Sequence, residues 1–369
     1  MLAVVGYHAR LPGFAGGLGG VDVFFVISGF LIAGVIAGGQ ATGGFSLAGF
    51  WERRIRRILP ALLVLMAATT ALAWSTLPPA DLIAYARSML AALFSASNLW
   101  FWRQSDFFAP SGGGDLLLHT WSLGVEEQFY LALPLVMAAG RKWFAGRLRT
   151  VLALAALASL AACAWGAWRA PQAAFYLPAT RAWELLLGVL LTLAPGLRFG
   201  PTARRSAGLA GLALIAIATL AIGPGTPLLG VAALVPCLGA ALVIAAGSDS
   251  IAGRLLAWPP LVGIGLISYS LYLWHMPLLA LPRLTGIGEP GPWTTAACLA
   301  VAFGLAWLSW RLVERPARNP AALTRAGVFA AAAAAVAGLT LLAVVLLAGD
   351  GFPGRAQPLQ SSRASTTSS

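Results

Sequence analysis

Apolar runs near 20 residues long recur along the chain, separated by short clusters of arginine, and this pattern sets the expectations for its elements. The runs fall at Met1–Arg10, Gly20–Gly38, Ile58–Leu77, Thr120–Ala139, Val151–Trp168 and Arg181–Ala194. They continue at Ser206–Ile222, Leu228–Ala246, Leu261–Leu281, Trp293–Trp310 and Gly327–Ala348. Each is expected to be helical, because a backbone crossing hydrocarbon must satisfy its own hydrogen bonds. About eleven crossings follow from the length criterion. The first run is too short to span and lacks a basic start, so it fits neither a signal peptide nor a complete helix. The natural chain is therefore expected to begin earlier.

Composition narrows the class. Of 369 residues, 59% are apolar and 10% charged, where a soluble domain carries about a quarter charged residues. A soluble enzyme with one core is excluded, as is a disordered chain. The 24 basic residues exceed the 12 acidic ones by 12. In a soluble protein that excess would point to nucleic acid, but cytoplasmic loops of membrane proteins are rich in Arg and Lys, and no nucleic-acid partner is expected. Assigning loops by that rule puts Arg53, Arg54, Arg56 and Arg57 in the cytoplasm, with the clusters at 141–149, 198–205 and 311–325 and Arg254. The segment Asp81–Trp102 then lies between two spans that already make the return trip. It is expected to form an outer-side or re-entrant helix. The tail Gln357–Ser369 is Ser/Thr-rich and expected to be disordered. Cys163, Cys237 and Cys298 are scattered without CxxC spacing, so they read as small core residues and not as disulfides or metal ligands.

Candidate chemistry lies in the polar minority of the spans, where ionisable groups are expensive and usually functional. The chain has three histidines, His8, His119 and His275, all expected near the outer ends of their spans. Histidine is the natural general base near neutral pH. In the segment His119–Tyr130, helical spacing puts His119, Ser122 and Glu126 on one face at i, i+3 and i+7, while Glu127 points about 100° away. A buried hydrogen-bond network between helices is the alternative to catalysis there. The same spacing aligns Ser268, Tyr272 and His275. Asp22 opens the second span and reads equally as a helix cap or a catalytic carboxylate. Arg181 and Glu184, at i and i+3, are expected to pair as a structural element. Arg53, Arg56 and Arg57 share one helix side, an array suited to phosphate oxygens but also to a plain topology signal. There is no GxSxG, P-loop or HExxH motif.

At these residues the chain resembles the integral-membrane acyltransferase 3 family, which includes O-antigen and peptidoglycan acetylases. The matching stretches are Gly20–Phe30, Phe50–Pro60, His119–Tyr130, Arg181–Leu185, Ser268–Pro277 and Trp310–Pro316, in family order from residue 4 to about 320. The resemblance implies an all-α polytopic transmembrane bundle of ten core helices in residues 1–320. Residues 321–349 would add an eleventh helix and 350–369 a tail or linker. It also implies a cytoplasmic acyl-CoA donor, acetyl-CoA above all, and transfer to a hydroxyl of an extracytoplasmic carbohydrate such as O-antigen, peptidoglycan or exopolysaccharide. Tyr7-His8 resembles the end of a first-helix motif in which an arginine precedes an essential histidine by ten residues; here that arginine would precede Met1. The eleventh helix resembles the one that joins some members to a periplasmic SGNH-type domain.

From this reading, His8, Glu126, Asp22 and His119 are the expected catalytic residues, with His8 as base or acyl carrier and Glu126 or Asp22 orienting its imidazole. Arg53, Arg54, Arg56 and Arg57 are expected to hold the donor phosphates. Trp121, Ser122, Tyr272 and His275 are expected to contact substrate. No bound cofactor or metal is expected, and the resemblance implies a bacterial inner membrane as the setting. The rival from another class is a proton-coupled secondary transporter using the His/Glu face as a relay. Its marks, broken helices or matching repeats in two halves, are not found in the sequence.

Overall fold

The computed structural model describes residues 1–104, 116–144, 146–194, 200–223, 226, 229–285 and 287–355. Among the described residues the chain is all-helical, with no strand. In chain order α1 is Leu2–His8, α2 Gly19–Ala41, α3 Leu47–Thr76, α4 Pro79–Leu93, α5 Ser97–Arg103 and α6 Thr120–Trp143. Then come α7 Leu148–Arg169, α8 Pro171–Tyr176, α9 Pro178–Leu193, α10 Pro201–Ala221, α11 Leu229–Ala232, α12 Leu234–Ala246 and α13 Ile251–Leu256. The last are α14 Pro259–Leu284, α15 Pro292–Ser309, a π-helical turn Trp310–Glu314, α16 Arg315–Ala317 and α17 Arg325–Ala348.

Eight helical stretches among the described residues are long and apolar enough to cross a membrane. They account for eight of the eleven apolar runs. The other three are helical but different in kind. The first run gives only the seven-residue α1. The fourth gives the 24-residue α6, but Glu126, Glu127 and Gln128 sit in it, and it falls outside those eight. The eighth is divided into α11 and the 13-residue α12. The segment expected to stay out of the crossing count forms α4 and α5, separated at Ser95, whose φ of 54° breaks the helix. Arg198 and the tail from residue 356 lie outside the described residues.

The chain divides into two compact units, Met1–Leu47 with Ser122–Leu266, and Ala48–Trp121 with the chain from Ile267 onward. In the first, α2 packs on α9, α9 on α7, and α10 on α12. Glycine makes the first crossing possible: a methyl on Gly29 would overlap the Leu185 carbonyl, and one on Gly188 the Val26 carbonyl. Membrane helices associate through such small-residue contacts because lipid offers no hydrophobic drive between them. Around the crossing lies a core of Val26, Cys163, Trp183, Ala233, Cys237 and Ala240, in which both thiols are buried and free.

In the second unit α17 lies against α4, and both its ends are tied to α3. At one end Arg325 Nε lies 2.9 Å from Glu52 Oε2. At the other, Arg355 Nη1 donates to the Trp74 carbonyl at 2.9 Å and Phe352 packs edge-on to the Trp74 ring. The run at 327–348 is thus a docked helix running parallel to α3.

Candidate functional site

Within the first unit, a guanidinium and two carboxyl groups meet in the interior. Arg181, from the first turns of α9, places Nη2 2.5 Å from Asp22 Oδ1 on α2 and Nη1 3.0 Å from Glu184 Oε1 on its own helix. All three residues are buried. The Phe25 and Phe175 rings lie under the guanidinium at 5.5 and 5.8 Å, positions in which aromatic faces attract a cation. The i, i+3 pair expected from sequence is therefore formed, with Asp22 added. The capping reading of Asp22 is corrected: Leu18 is the N-cap of α2, with no side-chain cap bond, and Asp22 sits inside the first turn with its carboxylate turned to Arg181.

The same unit holds a third buried carboxyl group, Glu126 on α6. Ser28 Oγ of α2 donates to Glu126 Oε1 at 2.5 Å, and the Tyr130 hydroxyl, one turn on, donates to the same oxygen. Two hydroxyl donors on one carboxyl oxygen hold it in a fixed direction and offset its desolvation. Ser28 and Tyr130 were not singled out from the sequence. The signal was available for Tyr130, at i+4 from Glu126, but not for Ser28, which is 98 positions away. His8 closes α1, half-buried, with its ring edge-on to Tyr7 at 5.2 Å.

Of the face expected to run through His119, Ser122 and Glu126, α6 carries Ser122 and Glu126. His119 lies in the turn ahead of α6 and not in the helix, since the Thr120 amide bonds back to the Leu117 carbonyl. His119 belongs to the second unit, Ser122 and Glu126 to the first. In its own unit His119 meets the residues that share the face of α14. Its ring centroid is 5.4 Å from Tyr272 and 5.6 Å from His275, both in edge-on contact. The Tyr272 hydroxyl donates to the His119 carbonyl, and His275 Nδ1 lies 2.6 Å from the Tyr272 carbonyl. His119 and His275 are almost wholly buried. Two of the three histidines thus form one cluster with a phenol. Trp121 and Ser122 are buried beside the same chain turn.

The arginine cluster on α3 separates into two kinds of residue. Arg53 and Arg57 are exposed, and Arg54 is half-buried with its guanidinium 5.8 Å from the Phe50 ring. Arg56 is buried and committed: Nε donates to Glu52 Oε1 at 3.1 Å, Nη1 to the Asn319 carbonyl at 3.1 Å, and Nη2 to the Leu323 carbonyl at 2.5 Å. The expectation that Arg56 presents itself to donor phosphates is corrected, because its donors close the turn between α16 and α17. The neighbouring π-helical turn carries Glu314, fully buried, which accepts from Ser270 and pairs with Arg318. In the sequence that stretch stands out only as part of a longer motif. An extra residue in a helical turn leaves no periodic signal.

Comparison with known proteins adds the following. A family model described as an acyltransferase domain, acyltransferase 3, matches residues 1–311. The chain is 30% identical over 339 residues to the putative peptidoglycan O-acetyltransferase YrhL of Bacillus subtilis, covering 86% of this chain and 53% of that protein. It is 30% identical over 338 residues to the peptidoglycan O-acetyltransferase OatA of Listeria monocytogenes, covering 86% of this chain and 54% of that protein. Against the O-acetyltransferase OatA of Staphylococcus aureus the figures are 28% over 344 residues, 86% and 55%. The chain spans about half the length of these curated relatives. No solved structure matches it.

Proposed function

Because the chain belongs to the acyltransferase 3 family, a family of membrane acyltransferases that move groups other than amino-acyl groups, we propose that it acetylates hydroxyls of an extracytoplasmic carbohydrate using cytoplasmic acetyl-CoA. The family match across residues 1–311 carries this reading. Peptidoglycan is the favoured acceptor, after the names of the relatives; O-antigen and exopolysaccharide present the same hydroxyl chemistry. The setting is the bacterial cytoplasmic membrane. A periplasmic SGNH-type domain or protein is the natural partner for the side on which α17 ends.

In this reading the exposed Arg53 and Arg57, with Arg54, hold the donor's phosphates, since guanidinium groups pair with phosphate oxygens bidentately. His8 takes the proton of the acceptor hydroxyl, whose oxygen attacks the thioester carbonyl; the C–O bond forms as the C–S bond breaks. Glu126, fixed by Ser28 and Tyr130, supplies negative charge that favours an imidazolium. Asp22 acts through Arg181, the group that holds its carboxylate. The cluster of His119, Tyr272 and His275, with Trp121, contacts the acceptor.

The test is release of free CoA from acetyl-CoA by the purified protein in nanodiscs with a glycan acceptor. His8→Ala is expected to lower transfer about a hundredfold to ten-thousandfold while acetyl-CoA still binds. Transfer at the parental rate would move the base to His119. Proton-coupled uptake without CoA release would replace the enzyme by the transporter.

A further inference from the structure

Acyl transfer between the two faces of a membrane has a proton to balance. The acceptor loses one when its O–H bond breaks, and the departing CoA thiolate gains one to become the thiol. With acceptor and donor on opposite sides, the interior must hold or exchange that proton. The Asp22–Arg181–Glu184 group is built to hold one. Two carboxyl groups share a single guanidinium, so the cluster with both ionised carries a net charge of −1 in the interior of the first unit.

The two acids are not equivalent. Asp22 has the close hydrogen-bonded contact, at 2.5 Å. Glu184 is 0% exposed, and although its Oε1 lies 3.0 Å from Arg181 Nη1, neither of its carboxyl oxygens accepts a hydrogen bond. Its surroundings are apolar: the core of Val26, Trp183 and Ala240 lies around α9, with the Cys163 and Cys237 thiols. The titratable groups facing it are thus Asp22 from α2, Arg181 from α9 itself, and the two thiols from α7 and α12. A second carboxylate on one guanidinium, with an ion-pair contact but no hydrogen bond to either oxygen, is disfavoured in such a place, whereas a carboxylic acid is not.

We infer that Glu184 is a proton-holding carboxylic acid, resting in its neutral form beside a fixed Asp22–Arg181 pair, and that it exchanges its proton during turnover. The first half stands on the charge count and burial alone; the second rests on the acyl-transfer reading.

The test takes the two halves apart. Infrared spectroscopy of the full chain in nanodiscs at neutral pH is expected to show the carbonyl stretch of a protonated carboxyl, shifted in D₂O and lost in Glu184→Gln but retained in Glu126→Gln. If no such component is lost in Glu184→Gln, the acid is ionised and the inference falls, whatever the protein's activity. Should Glu184→Gln fail to fold, Glu184→Asp keeps the carboxyl and must move the component without removing it; an unmoved component overturns the assignment. In CoA-release assays Glu184→Gln, which preserves shape and neutrality, is expected to slow transfer at least tenfold with acetyl-CoA binding unchanged. A purely structural acid tolerates that exchange, so transfer at the parental rate would remove Glu184 from turnover. A parent that releases no CoA would defeat the acyl-transfer reading and leave the infrared result standing.

Discussion

Arg56 and its neighbours on α3 have the same side chain and opposite situations. Arg56 serves Glu52 and the carbonyls of Asn319 and Leu323, and hydrogen bonds to charged groups are worth about 1.5–3 kcal/mol each. Arg56→Ala is therefore expected to lower the thermal midpoint in detergent by several degrees. The double change Arg53→Ala with Arg57→Ala should leave the midpoint within about a degree, because those exposed side chains hold no such bonds. It should instead weaken acetyl-CoA binding about tenfold to a hundredfold for each guanidinium–phosphate pairing removed. If all three changes weakened binding alike and none altered the midpoint, the division between a structural Arg56 and donor-binding neighbours would fail. The sequence showed the cluster and its helical spacing. It could not show which member is buried, since the groups that bury Arg56 lie more than 260 positions away. The same holds for Glu126 and Ser28, and for Asp22 and Arg181: local spacing finds pairs like Arg181 with Glu184, and only the fold finds the third partner.

Helices α2 and α9 meet where each lacks a side chain. The approach at Gly29 and Gly188 leaves no room for a methyl, and the opposing atoms are backbone, which cannot swing aside. Gly29→Ala or Gly188→Ala must push the helices apart, strain the Asp22–Arg181 contact between them, and cost stability and activity together. Gly34, further along α2, has nothing within 4 Å of an added methyl. Gly34→Ala is expected to be neutral or to stabilise by about 0.5–1 kcal/mol through helix propensity. Thermal melts of the three variants decide it, and a Gly188→Ala protein as stable as the parent would show that the crossing has slack to take up a methyl. At this scale the apolar pattern was most informative, since among the described residues each of the eleven runs contains helix. It erred in the interruptions. The break between α11 and α12, the Ser95 break and the π-helical turn carry no periodic mark. The polar stretch in α6 lowers its hydropathy although Glu126 is satisfied by Ser28 and Tyr130.

For the chain as a whole, the open quantity is the number of crossings, and parity makes it measurable. Arg53 and Lys142 are separated by α3, the short α4 and α5, and α6. They share a side only if α6 crosses despite its two glutamates, and the internal partners of Glu126 make that crossing acceptable. Arg204 and Asp249, 3.5 Å apart, bracket α10, α11 and α12. A contact between the ends of that stretch requires an even number of passes, so α11 and α12 together make the return, over about 27 Å at 1.5 Å per residue. The last helix begins at Glu52 and ends at Trp74, the two ends of one stretch of α3. Gly354 must then lie across the membrane from Arg53. Single cysteines at Arg53, Lys142 and Gly354 test this in a Cys298→Ser background, because Cys163 and Cys237 are buried and Cys298 is partly accessible. Impermeant maleimide added to intact cells is expected to label the Gly354→Cys protein only, with the other two reacting after the membrane is opened. Labelling of Lys142→Cys in intact cells would mean that α6 does not cross. Protection of Gly354→Cys would take α17 off the transmembrane path.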